Sequence, residues 1–559
     1  MNILMAQLNS ELGAVWKNLD KLEEVMEYSS ETDGSPDLLI LPPFFISGCP
    51  LGGLEFSEGF LRELDKAHDK LAEVAKVPVL TTSYVTEYDE ETGSVLFVDE
   101  KICLFRDGSM TVLEDQDDMY SKVGDFTIGG KKFVVLLGGT DAMLEAGEMD
   151  VPADAIVNLV DDTYDIQRAD LVSGDEIAAN EKLAESAGAW VLRCGCVGAQ
   201  GPAVYPGASY IVTPEGEMGV DAVLFDEALL GIDILEGEDE EWVVSVEELD
   251  DDRDFGFSVH MDDYGIDDEM ADWGAIVTGT RDYVLKSGMT DVVVGLSGGI
   301  DSAVVAAIAV DALGPHKVHG VLMPARYSSD SSVSDSEKLV ELLGIDSVTI
   351  PIEGPFEAFE KLLAEPCGGS VEGSVRDNLQ PRVRSVCLMA LSNRYGWVML
   401  NTSNKSEAAM GYSTIYGDTC GAYAPIGNVY KTRVYELARW RNEQSEVIPE
   451  EIIEKAPSAE LHEGQKDQDS LPPYEILDGI CTLYLEYDYT PDAIVDEGFD
   501  RDTVNKVLRT IASNEFKRAV EPMGPWVDGI SFKDDRNWPV VNGYHDESLE
   551  DETPGSIGE

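Results

Sequence analysis

The chain has 559 residues, 43% of them hydrophobic, and sets 39 Lys+Arg against 109 Asp+Glu for a formal net charge of −70. That length is too great for one core and predicts two domains of roughly 250–300 residues, while a surface so acidic excludes nucleic acid and anionic membrane as partners. No apolar run reaches the ~18 residues of a membrane span, and eight scattered cysteines without a CxxC pair indicate neither zinc nor a disulfide framework.

The N-terminal MNILMAQLNS lacks the basic flank and apolar core of a signal peptide, so a cytoplasmic location is expected. Strands are predicted over Asn2–Leu8, Asp37–Leu41, Val77–Ser83, Ser94–Phe105, Lys132–Leu137 and Ala155–Leu159. Helices are predicted over Leu12–Tyr28, Glu58–Val74 and Gly174–Ala187, which makes residues 1–235 an α/β layered domain. Residues 236–268 are dominated by Glu and Asp and read as an acidic connector.

From 269 to 545 long helices alternate with short apolar strands. Helices are expected over Met270–Leu285, Ser302–Leu313, Ser336–Leu343 and Asn378–Tyr395, and strands over Asp291–Leu296, Val318–Met323, Val348–Ile352 and Trp397–Asn401. Strands buried on both faces with crossover helices describe a doubly wound parallel sheet. Residues 546–559 read as a disordered tail.

The most informative stretch is DVVVGLSGGIDSAVVAAIAV, Asp291–Val310. An apolar strand enters Ser297-Gly298-Gly299-Ile300-Asp301-Ser302 and leaves in an Ala/Val-rich helix. Glycines let backbone N–H groups close on an anion, the helix N-terminus favours negative charge, and the two serines add hydroxyl donors. Asp301 suits Mg²⁺ bridging phosphates rather than phosphate itself. The loop is read as a pyrophosphate-binding loop of the ATP pyrophosphatase type; the lysine of a Walker loop is absent. An ordinary strand–turn–helix connection is the bland alternative.

Downstream, MPARYSSDSSVSDSEKLVELLGI, NLQPRVRSVCLMALSNRYG, LNTSNKSEAAMGYSTIYGD, APIGNVYKTRVYELAR, APSAEL with GQKDQDSLPPYEILD, and NEFKR closely resemble the NAD synthetases across residues 270–545. The resemblance implies an adenine nucleotide alpha hydrolase-like fold with ATP and Mg²⁺ bound, deamido-NAD⁺ as substrate and ammonia as the amine. It implies that Gly295, Leu296, Ser297, Gly298, Gly299, Ile300, Asp301 and Ser302 grip pyrophosphate, with Asp301 and Glu407 on Mg²⁺ and Thr402, Lys431 and Ser458 as further ATP contacts. Asn378, Arg382, Glu407 and Lys517 fall at deamido-NAD⁺ positions, and Asp418 is placed near the nicotinate carboxylate as a proton acceptor. Each has a bland alternative: Asn378 a helix N-cap, Arg382 and Lys431 surface ion pairs, Asp418 a turn residue. Pro381, where a small helix-forming residue is usual, should be harmless in a first helical turn. A homo-oligomer of at least two chains is implied.

Residues 1–235 resemble the nitrilase-like glutaminase domain of two-domain NAD synthetases, an α-β-β-α sandwich. The resemblance rests on AQLNSELGAVWKNLDKL, LLILPPFFISGCPLGGL, KFVVLLGGTD and GASYIVTPEGEM. That chemistry needs a cysteine nucleophile, a general base and an oxyanion-stabilising lysine. The family's glutamate falls on Pro43, its cysteine on Gly138, and its lysine near Glu114 or Asp115. The triad therefore reads as lost, and the leading expectation is synthesis from free ammonia or ammonia from a separate glutaminase. Two alternatives stand beside it: glutamine use through unrecognised residues, and a nucleotide-binding pseudoenzyme. Cys49 reads as an apolar filler rather than a substitute nucleophile.

Overall fold

The computed structural model describes residues 1–32, 35–89, 91–113, 122–138, 152–164, 176–233, 243–248, 268–462 and 464–541. The tail at 546–559, Glu114 and Asp115 lie outside the described residues. The chain forms two compact units, Met1–Ala275 and Ile276–Glu559, and the boundary falls inside the helix Asp268–Lys286.

The first unit contains two large sheets. One has seven strands in the order Val243–Glu248, Ala228–Asp233, Asn2–Gln7, Leu38–Ile40, Val79–Tyr88, Val95–Arg106, Ser109–Val112. The other has six, in the order Met218–Asp221, Tyr210–Val212, Trp190–Gly195, Ala155–Val160, Lys131–Leu137, Lys122–Ile128. Val243–Glu248 comes from the acidic stretch between the two predicted domains and joins the first sheet as its edge. The helices Val15–Thr32 and Glu58–Val74 place Leu19, Leu22, Leu61, Leu64 and Leu71 in the core with Leu39 and Phe105 of the first sheet. Their apolar residues recur every three to four positions, so each helix buries one stripe and leaves the acidic positions outside. In the second sheet Ala155–Val160 is buried at every position, because it lies between two parallel neighbours and is covered on both faces.

The second unit is built on four parallel strands in the order Asp346–Thr349, Val318–Leu322, Val292–Leu296, Val398–Met399. The helix Ile300–Leu313 is buried along nearly its whole length. Its Ala/Val composition suits that position: it packs on the central strand with one side and on the helix Lys431–Gln444 with the other. The expectation of strands covered on both faces fails for Asp346–Thr349, where all four residues are exposed at the sheet edge. The helix predicted over Ser336–Leu343 begins earlier, at Asp330, because Ser329 caps it by accepting the Ser332 amide at 3.1 Å.

Candidate functional site

The C-terminal ends of the parallel strands open into a cavity of about 270 Å³. Ligands of open parallel sheets bind at this end, because crossover connections part there. Gly295, Leu296, Ser297, Gly298, Gly299, Ile300, Asp301 and Ser302 all line the cavity. The loop is held by its own hydroxyls. Ser302 Oγ accepts the Ser297 amide at 3.2 Å, lies 3.0 Å from Ser297 Oγ and donates to the Gly299 carbonyl at 3.1 Å. Gly298 has φ +76°, and a Cβ there would lie 2.3 Å from the Ser332 carbonyl oxygen, so only glycine fits.

Three charged side chains meet across the cavity wall. Lys431 Nζ donates to Asp301 at 2.5 Å and to Glu407 at 3.3 Å while only 1% exposed. The two carboxylates sit on the helix Ile300–Leu313 and the short helix Lys405–Met410. Asn404 ties them together: its Oδ1 accepts the Glu407 amide at 3.0 Å and its Nδ2 donates to Asp301 at 3.0 Å. Lys431 starts its own helix, where its amide donates to Ser406 Oγ at 2.8 Å and Asp478 accepts the Thr432 amide at 2.9 Å. Burial pushes the Glu407 carboxyl up, and the Lys431 charge opposes that push. The adjacent carboxylates hold the Lys431 ammonium well above its ordinary value despite its burial. The position that touches both carboxylates is taken by Lys431 Nζ, and the two carboxylates are oxygen donors of the kind that fits Mg²⁺ when phosphate and water oxygens complete its shell. Among the described residues no group of three or more His, Cys, Asp or Glu could hold a metal on its own.

Asp418 opens into the same cavity but is surrounded by protein on its other sides. Burial pushes its carboxyl up to about 6, although the Thr414 amide donates to it and Lys517 and Arg384 pull it down. Thr402 and Ser458 also line the cavity. The Ser458 hydroxyl donates to the Gln465 carbonyl at 2.7 Å and accepts the Glu460 amide at 3.1 Å, so it shapes its loop.

Asn378, Arg382 and Lys517 do not line this cavity and instead hold the segment that carries Asp418. Asn378 Oδ1 accepts the Thr414 hydroxyl at 2.6 Å, Arg382 Nε donates to the Ile415 carbonyl at 3.1 Å, and Lys517 Nζ donates to the carbonyls of Gly411 at 2.6 Å and Ser413 at 2.9 Å. The alternatives for Asn378, Arg382 and Lys431 are corrected, whereas Asp418 does lie in a turn. Asn378 occupies the N-cap position of the helix Leu379–Tyr395 without a capping hydrogen bond from its side chain, which Thr414 has taken. Arg382 binds a carbonyl rather than a carboxylate, and Lys431 is buried rather than superficial. Pro381 is third in its helix and buried, as a first-turn proline can be.

Two cations at the cavity were missed in the sequence. Arg384 lines it, and burial pushes its guanidinium down from its usual value. Arg382 and Arg384 are two positions apart, which on a helix places them on opposite sides. Pro381, Arg384, Ser385 and Leu388 recur at the inward spacing and all line the cavity, a periodicity readable in NLQPRVRSVCL. Lys455 also lines it, paired with Glu460 at 3.5 Å and hydrogen-bonded to Ser332.

In the first unit, Pro43 follows the strand Leu38–Ile40, and its carbonyl accepts the Cys196 thiol at 3.3 Å. Phe44 has φ +54° and its amide donates to the Thr82 carbonyl at 3.1 Å, fixing the loop against the neighbouring strand. Cys49 Sγ lies 3.5 Å from the Tyr205 hydroxyl, which donates to the Cys49 carbonyl at 3.1 Å. Hydrogen bonding to Cys49, burial and the negative charge of Asp161 push the Cys196 thiol up. Gly138, at the end of the strand Lys131–Leu137, has φ +136°, a conformation that disfavours any side chain.

A family model described as NAD synthase matches residues 272–521. The chain is 36% identical to the glutamine-dependent NAD(+) synthetase of Rhodobacter capsulatus, over 98% of this chain and 99% of that one. It is 34% identical to the enzyme of the same name from Thermotoga maritima, over 97% and 99%. Among solved structures it resembles the glutamine-dependent NAD+ synthetase of Acinetobacter baumannii in complex with ADP, with TM-score 0.68, 28% identity, and coverage of 97% and 99%.

Proposed function

The chain belongs to the NAD synthetase family, and we propose that it catalyses the ATP-dependent amidation of deamido-NAD⁺ to NAD⁺, AMP and pyrophosphate. The observation that carries this reading is the convergence of the Ser297–Ser302 loop, the Asp301–Lys431–Glu407 cluster and Asp418 on one cavity. The ADP bound to the Acinetobacter relative supports nucleotide binding in this fold.

In this reading the loop N–H groups and the N-terminus of Ile300–Leu313 receive the pyrophosphate of ATP. The nicotinate carboxylate attacks the α-phosphorus, the bond to the bridging oxygen breaks, and pyrophosphate leaves with that electron pair. Asp301 and Glu407 would hold Mg²⁺, which would neutralise charge on the phosphate oxygens. Lys431 adds a positive charge preorganised by burial, where it acts more strongly than in water. Ammonia then attacks the adenylate carbonyl, AMP leaves, and Asp418 accepts the proton the nitrogen sheds. With its carboxyl at about 6, Asp418 is mostly ionised at neutral pH and so able to take that proton. The proposal extends to a division into domains at 1–235 and 269–545, a cytoplasmic location and a homo-oligomer of at least two chains.

The nitrogen source divides the reading. The preference for ammonia over glutamine finds no support in the relatives, whose names are glutamine-dependent, and they favour the glutamine-using alternative. A second reading, in which the first unit hydrolyses no glutamine, is supported by one observation. Pro43 and Gly138 supply no base and no nucleophile, and the Cys196 thiol beside Pro43 is shifted away from the reactive thiolate. NAD⁺ formation by the purified chain, compared with ammonium and with glutamine across a salt series, decides between them. Turnover with glutamine alone establishes the first; turnover with ammonium only establishes the second. Turnover with neither removes the synthetase reading.

A further inference from the structure

A second, smaller pocket of about 40 Å³ adjoins the cavity, and Asn401 and Ser403 line both. That volume admits a molecule or two of water's dimensions. The shared wall is tied to the segment bearing Asp418. Asn401 Nδ2 donates to the carbonyls of Asp418 at 2.7 Å and Cys420 at 3.0 Å, and Ser403 Oγ donates to the Asp418 carbonyl at 3.4 Å.

Glu521 lines the small pocket, and its Oε1 is buried without a hydrogen-bond partner. Burial pushes the Glu521 carboxyl up to about 7, although Arg518, Lys533 and Lys517 pull it down. The two cations at the pocket are committed elsewhere. Arg518 donates to the Glu515 carboxylate at 2.9 Å and to the carbonyls of Ile511 at 2.6 Å and Ala409 at 3.2 Å. Lys533 Nζ donates to the backbone carbonyl of Glu521 at 2.8 Å. Asp534, also at the pocket, accepts the Trp526 indole N–H at 2.9 Å. A buried acceptor left open keeps its desolvation cost uncompensated, and a small N–H cation donating to it removes that cost. One open carboxylate oxygen in so small a space suits a monovalent ion and not a divalent one, which demands six or more oxygens.

We propose that this pocket is a binding site for ammonium, held by the Glu521 carboxylate one wall away from Asp418. The proposal rests on the reading of the chain as an amide-forming synthetase, and it gives that reaction a holding place for its nitrogen. Ammonium and potassium share charge and size, so the test separates them.

Thallium(I), a spectroscopic probe of the same charge and similar size, is titrated into the full chain. One saturable site displaced by ammonium is expected, and Glu521→Gln weakens it at least tenfold. With ammonium as sole nitrogen donor, Glu521→Gln raises the KM for ammonium at least tenfold and leaves the KM for ATP in place. Glu521→Asp, which keeps the charge, recovers part of both effects. Unchanged thallium affinity or an unchanged ammonium KM in Glu521→Gln overturns the proposal. So does potassium that displaces thallium without raising the ammonium KM, since the pocket is then a potassium site. Failure of the unaltered chain to make NAD⁺ from any donor overturns the synthetase reading instead, with thallium binding still reporting on the pocket.

Discussion

Replacing Lys431 by methionine tests the charge arrangement at the heart of the cavity. The substitution keeps the length of the side chain and removes a cation that is 1% exposed and touches Asp301 at 2.5 Å and Glu407 at 3.3 Å. Two carboxylates, each 19% exposed, then face one another without a counter-ion. Breaking a buried ion pair on one side costs about 3–5 kcal/mol, mostly as the penalty of the charge left behind. The pH dependence follows from the sign. Without Lys431 the carboxyls bind protons more tightly in the folded state than in the unfolded chain, so stability returns as pH falls and they become neutral. Lys431→Met is expected to lose about 3 kcal/mol or more in urea denaturation at pH 8, and clearly less at pH 5.5. Adding Glu407→Gln should restore part of the loss, because one stranded charge goes with it. With ATP as the varied substrate, kcat/KM should fall at least about 100-fold, the usual scale for a preorganised charge. An equal destabilisation at both pH values, or a double variant no better than the single, refutes the reasoning.

Gly298→Ala forces a Cβ to 2.3 Å from the Ser332 carbonyl oxygen at φ +76°; ATP affinity, followed by calorimetry, should drop at least tenfold while the far-UV spectrum is retained. Asp418→Asn should lower kcat by about 10²-fold or more, the scale of a lost general base. An acid limb near pH 6 is expected in the activity of the unaltered chain and should vanish with the substitution; a retained limb assigns it to another group. For Glu521, raised from its ordinary value to about 7 by burial, the stability it contributes is complete below the unfolded value and lost as pH rises through about 7. Glu521→Gln should therefore flatten the loss of stability between pH 5 and 8 in thermal melts. Finally, a net charge of −70 predicts that raising salt from 0.1 to 1 M, which shortens the screening length from about 10 Å to about 3 Å, increases the melting temperature; no increase removes self-repulsion as a significant cost.

The local elements were legible wherever one short-range cause dominates. The SGGIDS loop between an apolar strand and an Ala/Val helix can form little else, and the structure has that strand, loop and helix. The stripes of Val15–Thr32 and Glu58–Val74 were equally plain. Edge strands were less so. Val243–Glu248 sits in an acidic run whose strand character comes from its ladder with Ala228–Asp233, and the strand expected over Val348–Ile352 runs instead over Asp346–Thr349, which has no buried face to mark its register.

The site divides along the same line. Sequence by itself determined which residues enter the Ser297–Ser302 loop, because their spacing along a few consecutive positions sets the geometry. Tertiary structure decided the rest. It turned Arg384 inward and Arg382 outward on one helix, brought Lys431 against Asp301 across 130 positions, and left the Glu521 Oε1 open beside the wall that holds Asp418. Those relations depend on distances between elements far apart in the chain. Burial, which sets the charge of each group, exists only once the elements have packed.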